Sequence, residues 1–374
     1  MTSAIFTAIS TGGASSVGQG PSTLQPSGQT VLQRAALQGA SPSMSTRHQV
    51  FITDFISNDL SIEREILGDI ADVVGLNAKH ESELLGKIDQ ADAVMMYHAI
   101  QMTSQVIERL KRCKLIVRCG VGVDNVDRVA ARKHGIPVSN VPDYGTDEVA
   151  DSAIGLLLSL TRGIHLLNSR LRRGSGSWSY LQAAPVHRLQ GRTLGIVGLG
   201  RIGTAAALRG KALGMRVLFY DPYLPDGYDK AIGVERVESL SELLSRSFAL
   251  TLHCPLTPET TNLIDEAAIA QMPRGSFLVN TSRGGVVEPK AVVNGLADGH
   301  LAGAGIDVLV QEPPDDDHPL LVAWRDPQHP AHDRLLLNPH SAFYSEEGLL
   351  DMRVKGSQSC RRALLGETLR NVVN

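Results

Sequence analysis

The sequence feature that most restricts the fold is a glycine-rich turn near the middle of the chain. The stretch 193–203, TLGIVGLGRIG, ends an apolar run with Gly198, Gly200 and Gly203 and continues into an alanine-rich segment. Gly198 permits a tight turn, Gly200 lets the backbone approach a ligand, and Gly203 lets the helix pack closely on the strand. A second apolar run ends at Asp221, 18 positions after Gly203. This order of segments predicts a βαβ unit.

The spacing within this unit also predicts a dinucleotide site. The N-terminus of the helix offers the N–H groups of Arg201 and Ile202 and the positive end of the helix dipole, which favour a pyrophosphate. Asp221 is placed to accept hydrogen bonds from ribose hydroxyls and to repel the 2′-phosphate of NADP. A structural glycine turn in a non-binding domain is the alternative, and the complete context disfavours it. The predicted cofactor is therefore NAD, held by Gly198, Gly200, Arg201, Ile202, Gly203 and Asp221.

Strand-like and helix-like segments alternate on both sides of the turn. Apolar runs lie near 49–53, 92–97, 115–118, 137–140, 193–197, 216–220, 249–253, 276–280 and 302–308. This alternation predicts an α/β fold with two doubly wound parallel sheets. The composition, 43% hydrophobic and 20% charged with a net charge of −3, is that of a globular chain. It gives no reason to expect binding to nucleic acid or to a membrane, and the longest apolar run, 153–160, is too short to span a bilayer.

The beginning of the chain and the cysteines carry further predictions. Residues 1–46 contain no acidic residue and one basic residue, Arg34, and they lack apolar periodicity. We therefore predict that residues 1–47 form a disordered tail. The four cysteines lie in separate segments without a CxxC pair, which predicts free thiols, a reducing compartment and a cytoplasmic protein. They are Cys113, Cys119, Cys254 and Cys360.

Three later segments lie where strands of the second sheet should end, so their side chains could meet in its ligand crevice. Hydride transfer from a nicotinamide to a ketone needs a proton donor and a cation for the substrate carboxylate. His340 can donate the proton, Glu312 can fix the tautomer of the imidazole and favour its protonated form, and Arg283 can bind a carboxylate with its planar guanidinium. Each residue alone has an ordinary structural explanation, but together with the NAD site they favour catalysis. The segments are 280–285, 305–313 and 338–343.

Taken together, these motifs resemble the D-isomer-specific 2-hydroxyacid dehydrogenases over about residues 48–374, and most closely the C-terminal-binding-protein branch. The resemblance is carried by VRCGVGVDNVD (117–127), TLGIVGLGRIG (193–203), VLFYDPYLPDG (217–227), TLHCPLTPETTNLI (251–264), FLVNTSRGGVV (277–287), GAGIDVLVQEP (303–313), PHSAFYSEE (339–347) and LRNVVN (369–374). It implies an NAD-dependent oxidoreductase that interconverts a 2-oxo acid and a D-(R)-2-hydroxy acid. The implied catalytic residues are Arg283, Glu312 and His340, and the further implied cofactor contacts are Cys254, Pro255, Thr260, Thr281 and Asp307.

The resemblance also implies a domain arrangement. A Rossmann NAD-binding domain, 144–347, is inserted in a flavodoxin-like substrate domain formed by 48–143 and 348–374. In the substrate domain, backbone N–H groups of the glycine-rich stretch 119–125 hold the substrate carboxylate, and such a turn is a known type of anion-binding concavity. The implied substrate-binding residues are Val121, Gly122 and Val123. The apolar helix predicted at 148–161 should be buried between domains or at a subunit interface, and we expect a homodimer.

Two departures from the family leave the natural substrate open. Phe343 stands where the corepressors of the branch carry a tryptophan, and a longer loop, 314–335, precedes His340. This loop is rich in Asp and His, but no fourth ligand has a matching spacing, so we predict a solvated loop and no bound metal. The alternative function is an NAD(H)-sensing, corepressor-like scaffold with weak dehydrogenase activity, for which the sequence maps no peptide cleft.

Overall fold

The computed structural model describes residues 47–56 and 59–374. Residues 47–374 form one compact unit. The predicted disordered tail therefore lies outside the described residues, apart from Arg47. Arg47 is tied to the folded unit through a hydrogen bond of 2.7 Å from its Nε to Asp72.

The first lobe is built on a five-stranded parallel sheet with the order β2-β1-β3-β4-β5. Its strands are β1 (His48–Ile52), β2 (Ala71–Gly75), β3 (Ala93–Met96), β4 (Ile116–Arg118) and β5 (Val138–Asn140), with helices α1 (Ser61–Leu67), α2 (Ser104–Ile107) and α3 (Arg128–Lys133). The central strands β3 and β4 are buried at every residue. This explains why they are apolar in the sequence, apart from Arg118 at the end of β4.

The second lobe contains a seven-stranded parallel sheet with the order β12-β11-β10-β9-β6-β7-β8. Its strands are β6 (Thr193–Val197), β7 (Arg216–Tyr220), β8 (Glu235–Arg236), β9 (Ala249–Leu252), β10 (Ser276–Asn280), β11 (Leu301–Ile306) and β12 (Leu335–Leu337). Its helices are α4 (Thr146–Thr161), α5 (Ile164–Arg172), α6 (Arg201–Ala212), α7 (Tyr228–Ile232), α8 (Leu240–Arg246), α9 (Glu266–Gln271), α10 (Pro289–Ala297) and α11 (Pro319–Arg325). The predicted fold class, two doubly wound parallel sheets, is confirmed.

The strand order of the second sheet defines its ligand crevice. From β6 the chain moves outward through β7 and β8, and from β9 it moves outward in the opposite direction through β10, β11 and β12. In open α/β sheets, ligands bind at the carboxyl ends of the strands where the order reverses. The crevice is therefore expected at the ends of β6 and β9.

The final helix, α12 (Glu346–Leu365), returns to the first lobe. Its residues Met352 and Cys360 belong to the apolar core that also contains β1 and β3. A buried ion pair joins it to α1, because Arg353 Nη2 lies 2.6 Å from Glu63 Oε2. Both ends of the described chain thus build the first lobe, while the domain boundaries at 143/144 and 347/348 stay a prediction.

Helix α4 corresponds to the apolar helix predicted at 148–161. Its residues Leu156 and Leu160 pack on β11, where a Cβ added at Gly305 or Gly303 would come within 3.0 Å of them. The opposite side carries the exposed Asp151. The helix is therefore buried against its own sheet on one face and open on the other.

The loop 314–335 was predicted to be solvated throughout, and this is wrong for its central part. It contains α11, whose Leu320, Leu321 and Ala323 are buried. Pro319 occupies the first turn, where it costs no hydrogen bond, and His318 accepts a bond from the Leu320 N–H at 3.3 Å. Its exposed stretches, 315–317 and 324–328, fit the prediction.

Within residues 47–56 and 59–374, none of the helices has the length and apolar character needed to cross a bilayer. In the same part of the chain, no three His, Cys, Asp or Glu side chains are grouped so that they could hold a metal ion.

Candidate active site

The glycine turn between β6 and α6 has the geometry of a phosphate cradle. Gly198 has a φ of +84°, and a Cβ at this position would lie 2.8 Å from the backbone N of Cys254. A Cβ at Gly203 would lie 2.1 Å from the Gly198 carbonyl oxygen. At Gly200 an added Cβ meets nothing within 4 Å, so the space before the helix is open. No side chain caps α6, which leaves the first N–H groups, those of Arg201 and Ile202, for a ligand.

Asp221 borders this cradle at the end of β7. Its carboxylate accepts hydrogen bonds from the N–H of Leu199 at 3.0 Å and from the N–H of Tyr223 at 3.0 Å. These bonds fix the carboxylate beside the glycine turn, where the sequence places the ribose. Each oxygen keeps a further lone pair for a hydroxyl donor.

The remaining predicted cofactor residues lie on neighbouring loops of the same edge. Cys254 packs against Gly198, and the segment that follows folds on itself through a 2.6 Å bond from Thr260 Oγ1 to the Pro255 carbonyl oxygen. Thr281 follows β10, and its buried hydroxyl has no hydrogen-bond partner among the described residues. The open cradle, the uncapped helix and this unpaired hydroxyl all fit a dinucleotide.

His340 and Glu312 form the predicted pair. His340 Nδ1 lies 2.6 Å from Glu312 Oε2, and the other oxygen of Glu312 accepts the Leu309 N–H at 2.8 Å. Burial tends to raise the pKa of Glu312, but the hydrogen bond and charge of His340 outweigh it and hold that pKa below its ordinary value. A glutamate kept ionised in this way holds the proton of the imidazole on Nδ1 whenever the ring is neutral. Nε2 of His340 has no protein partner in the described part of the chain.

The backbone of His340 is held in an unusual conformation. Its φ is +50°, and its N–H donates to the Asp307 carbonyl oxygen at 2.7 Å. The Asp307 carboxylate accepts the N–H groups of Ser341 at 2.9 Å and Ala342 at 3.1 Å. A left-handed non-glycine residue persists only where its surroundings impose it.

The structure shows a role for Asp307 beside the predicted cofactor contact, which stays a prediction. Its side chain is 1% exposed and its oxygens accept backbone N–H groups. Burial raises its pKa, although the two N–H groups oppose the shift. Asp307 therefore holds the turn that carries His340.

Arg283 reaches from the second lobe to the glycine-rich stretch of the first. Its Nε donates to Asp124 Oδ1 at 3.0 Å, and its Nη1 donates to the Ser282 carbonyl oxygen at 2.8 Å. A Cβ at Gly122 would lie 1.6 Å from its Nη2, so this contact requires glycine. The predicted substrate residues Val121, Gly122 and Val123 thus lie beside Arg283.

Arg118, which the sequence analysis missed, also contacts this stretch, because a Cβ at Gly120 would lie 1.6 Å from its Nη1. It ends β4, is 7% exposed, and has no acidic partner within 4.0 Å among the described residues. Its side chain contacts Asn125 Oδ1 and the Cys119 carbonyl oxygen, both at 3.3 Å. Burial and the charge of Arg283 lower its pKa. Because a buried cation without a counterion is costly, two guanidinium groups at this stretch favour an anionic ligand.

His98 was also missed. It follows β3, and its ring centroid lies 5.8 Å from that of His340 and 6.1 Å from that of Phe343. Asp54 holds the turn by accepting the N–H groups of Tyr97 at 2.9 Å and Ala99 at 2.8 Å. Burial, followed by the charges of His340 and Arg118, lowers the pKa of His98 to about 4, so it is neutral near pH 7. The sequence signal that could have identified His98 is its position two residues after the buried strand β3.

The fold and the site define a class, the two-lobed α/β proteins that bind a dinucleotide in one lobe and face a second lobe across a cleft. Residues 154–342 match the family described as D-isomer specific 2-hydroxyacid dehydrogenase, NAD binding domain. The chain belongs to this family. The predicted family and the predicted cofactor, NAD, are thereby confirmed.

Two relatives support the assignment. The chain is 36% identical over 326 residues to D-3-phosphoglycerate dehydrogenase of Methanocaldococcus jannaschii, covering 87% of this chain and 59% of the relative. It is 34% identical over 329 residues to C-terminal-binding protein 1 of Caenorhabditis elegans, covering 86% of this chain and 44% of the relative. The chain thus spans about half the length of these relatives.

A solved structure gives a similar result for the fold. D-lactate dehydrogenase of Aquifex aeolicus, solved with NAD and lactic acid, superimposes with a TM-score of 0.76 at 27% identity. The match covers 85% of this chain and 96% of that chain. Both lobes are therefore shared with a protein that has been solved with this cofactor.

Proposed function

We propose that this protein is an NAD-dependent D-2-hydroxyacid dehydrogenase, which interconverts a 2-oxo acid and a D-(R)-2-hydroxy acid. The observation that carries the proposal is the His340–Glu312 hydrogen bond in a cleft where Arg283 meets the glycine-rich stretch of the first lobe. The family assignment supports it, as does the lactate dehydrogenase with NAD and lactic acid.

The cofactor site favours NAD over NADP. The pyrophosphate would lie at Gly198, Gly200 and Gly203, against the N–H groups of Arg201 and Ile202. Asp221 would accept the ribose hydroxyls and repel a 2′-phosphate. Cys254, Pro255, Thr260 and Thr281 would line the rest of the site. When bound, the reduced nicotinamide supplies the hydride.

His340 supplies the proton in the direction of reduction. Its Nε2 is free, whereas Nδ1 is held by Glu312. We propose that Nε2–H donates to the carbonyl oxygen of the 2-oxo acid as the alkoxide develops. The carboxylate of Glu312 keeps the ring oriented through its 2.6 Å contact with Nδ1.

The substrate carboxylate is placed between the lobes. Within the stretch 119–125, Arg118 lies against Gly120 and Arg283 lies against Gly122. We propose that their guanidinium groups, with the backbone N–H groups of Val121, Gly122 and Val123, bind this carboxylate. Asp124 holds Arg283 in place through the 3.0 Å contact.

The kinetic test uses NADH oxidation with glyoxylate, pyruvate, hydroxypyruvate and longer aliphatic and aromatic 2-oxo acids. We expect turnover with at least one acid and a loss of about 10²-fold or more in kcat for His340→Ala. His80→Ala, which removes an exposed histidine away from the cleft, is the matched control and should keep full activity. Full activity of His340→Ala, or no turnover with any acid, would refute the proposal.

The second candidate function is an NAD(H)-sensing scaffold similar to corepressors. The observation that favours it is the similarity to C-terminal-binding protein 1. A scaffold would bind NADH with feeble turnover and retain short hydrophobic-acidic peptides in a pull-down. The kinetic panel and the pull-down together separate the two functions.

We further propose a homodimer in a reducing cytoplasm. Several large apolar side chains on α5 and the segment after it are exposed, and a monomer rarely leaves such a group uncovered. They are Ile164, Leu171, Trp178, Tyr180 and Leu181. The four cysteines are buried free thiols, which fits a reducing compartment. Light scattering of the purified protein tests the dimer, and localisation of a tagged full-length chain tests the compartment.

A further inference from the structure

A cavity separate from the catalytic cleft lies at the edge of the large sheet opposite to His340. It has a volume of about 610 Å³ and is lined by the C-terminal end of α4, by α5, and by the segments 182–187 and 327–334. Gly275 and Gly299, which precede β10 and β11, also line it. The catalytic residues follow the carboxyl ends of these strands, so the length of the strands separates the two sites.

The cavity histidines have hydrogen-bond partners of their own. His165 Nδ1 faces the Ser159 carbonyl oxygen at 3.0 Å and its Nε2 faces the Asp333 carbonyl oxygen at 3.0 Å. Both partners are carbonyl oxygens, so neither ring nitrogen of His165 is open to the cavity as an acceptor.

The two histidines of the segment 327–334 have their acceptor positions occupied. His332 accepts from Arg173 Nη1 at 3.1 Å on Nε2 and donates from Nδ1 to the Trp324 carbonyl oxygen at 2.6 Å. His329 Nδ1 accepts the Ala331 N–H at 3.1 Å, so its proton lies on Nε2. Neither ring offers the cavity an unoccupied acceptor nitrogen.

The charged side chains of the cavity are also mostly donors. Arg170 and Arg334 line it, with Asp333 as the one carboxylate among the lining residues. Asp333 is already paired with Arg170 at 2.9 Å and with Arg173 at 3.4 Å. Arg170 Nη1 also donates a hydrogen bond to the Gln182 side-chain oxygen at 3.2 Å. The buried Nε of Arg170 still has no partner among the described residues.

We propose that this cavity binds a small polyanion, an organic molecule with two or more carboxylate or phosphate groups. The cavity offers an excess of hydrogen-bond donors and of positive charge over acceptors, and an anion supplies what these donors lack. Its volume lies in the range of small-molecule sites. The site is separate from the proposed catalytic cleft, and its occupant is neither the 2-oxo acid nor the cofactor.

The experiment is isothermal titration of the full-length protein with citrate as the carboxylate probe and inorganic phosphate as the phosphate probe. We expect saturable binding of at least one probe, weakened about tenfold or more by Arg170→Met. Arg334→Met is the second variant should Arg170→Met not fold, and it should weaken binding in the same direction. Arg246→Met, on the exposed face of α8, is the matched control and should leave binding unchanged.

The catalytic cleft also contains arginines, so Arg283→Met is titrated in parallel. Binding that survives Arg283→Met and is lost in Arg170→Met supports the cavity. Binding that survives Arg170→Met and Arg334→Met, or no saturable binding of either probe, overturns the proposal. NADH is left out of the titrations, so the result does not depend on the proposed dehydrogenase activity.

Discussion

At the scale of single residues, the two histidines of the cleft are positioned in the same way. His340 lies on a turn whose backbone donors bind Asp307, and His98 lies on a turn whose backbone donors bind Asp54. Asp307 and Asp54 are buried, at 1% and 0% exposure. Each lobe therefore presents its histidine on a turn tied to a buried carboxylate, which restricts how the rings move.

Replacing Asp307 tests this arrangement. In Asp307→Asn, the amide oxygen accepts one N–H and the amide NH₂ faces the other, which leaves a buried donor unpaired. We expect a loss of about 1–3 kcal/mol in the free energy of unfolding and a larger fall in kcat than change in KM. Urea denaturation and steady-state kinetics measure both. Asp326→Asn, the same change at an exposed turn, serves as control, and equal effects of the two variants would contradict the positioning role.

His98 makes stability depend on pH. Its pKa falls from 6.5 to about 4 on folding, so between these values the unfolded chain binds the proton more strongly than the folded one. The contribution of His98 to stability is therefore complete above pH 6.5 and is lost as the pH falls towards 4. Because the ring remains in contact with solvent, water reduces the size of this effect.

The variant His98→Gln removes this titration. We expect its melting temperature to fall less steeply than that of the natural protein between pH 6.5 and pH 4, with the two curves parallel above pH 7. Thermal melts across this range measure the slopes. Identical slopes would show that His98 does not titrate with a lowered pKa.

At the scale of elements, α11 shows what a short helix in a connecting segment contributes. Leu320 is 2% exposed in the core beneath the sheet, whereas Val322 on the same helix is 52% exposed. We expect Leu320→Ala to lower the free energy of unfolding by about 2–5 kcal/mol. Val322→Ala should change it by less than about 0.5 kcal/mol. Chemical denaturation of both variants measures the difference, and equal losses would place α11 outside the core.

The strands that the sequence analysis missed are short. Strand β2 has five residues that alternate between buried and exposed, so it is not a continuous apolar run. Strands β8 and β12 have two and three residues, which are too few to show a periodic pattern. Helix α11 was hidden by acidic residues before it and prolines on both sides. The long apolar strands and α4, by contrast, were predictable because burial on a sheet imposes continuous runs.

At the scale of the whole molecule, the first lobe is completed from both ends of the described chain. The Arg353–Glu63 ion pair is buried, with side-chain exposures of 10% and 0%. The hydrogen bond and charge of Glu63 raise the pKa of Arg353 despite its burial. The pair therefore holds α12 on α1 while both groups are charged.

Breaking the Arg353–Glu63 ion pair should destabilise the first lobe more than the second. In Arg353→Met, Glu63 is left buried without a counterion, and we expect the first lobe to lose about 3–5 kcal/mol. Hydrogen exchange should rise in α1 and α12, while NADH binding, which rests on the second lobe, stays near that of the natural protein. Arg361→Met, which removes an exposed pair on the same helix, should have a much smaller effect. Unchanged exchange in α1 and α12 would contradict this role.

The site was predictable in part from its strands. Arg283 and Glu312 follow the predicted strands β10 and β11, whereas His340 follows β12, which was missed. The structure brings His340 and Glu312 into contact and Arg283 to the glycine-rich stretch. Arg118 was missed because the sequence does not show that a cation is buried without a partner, and His98 because its one signal is its position after a buried strand. Asp307 was predicted as a cofactor contact, and its support of the His340 turn depends on a backbone conformation that the sequence does not show.

The pairing of α1 with α12 has a consequence for how the protein is made. Glu63 leaves the ribosome 290 residues before Arg353. At a translation rate of 5–20 residues per second, this is a delay of roughly 15 to 60 s. The dinucleotide lobe is fully synthesised within that interval, so it is expected to fold first. The first lobe can complete its fold only after α12 has left the ribosome.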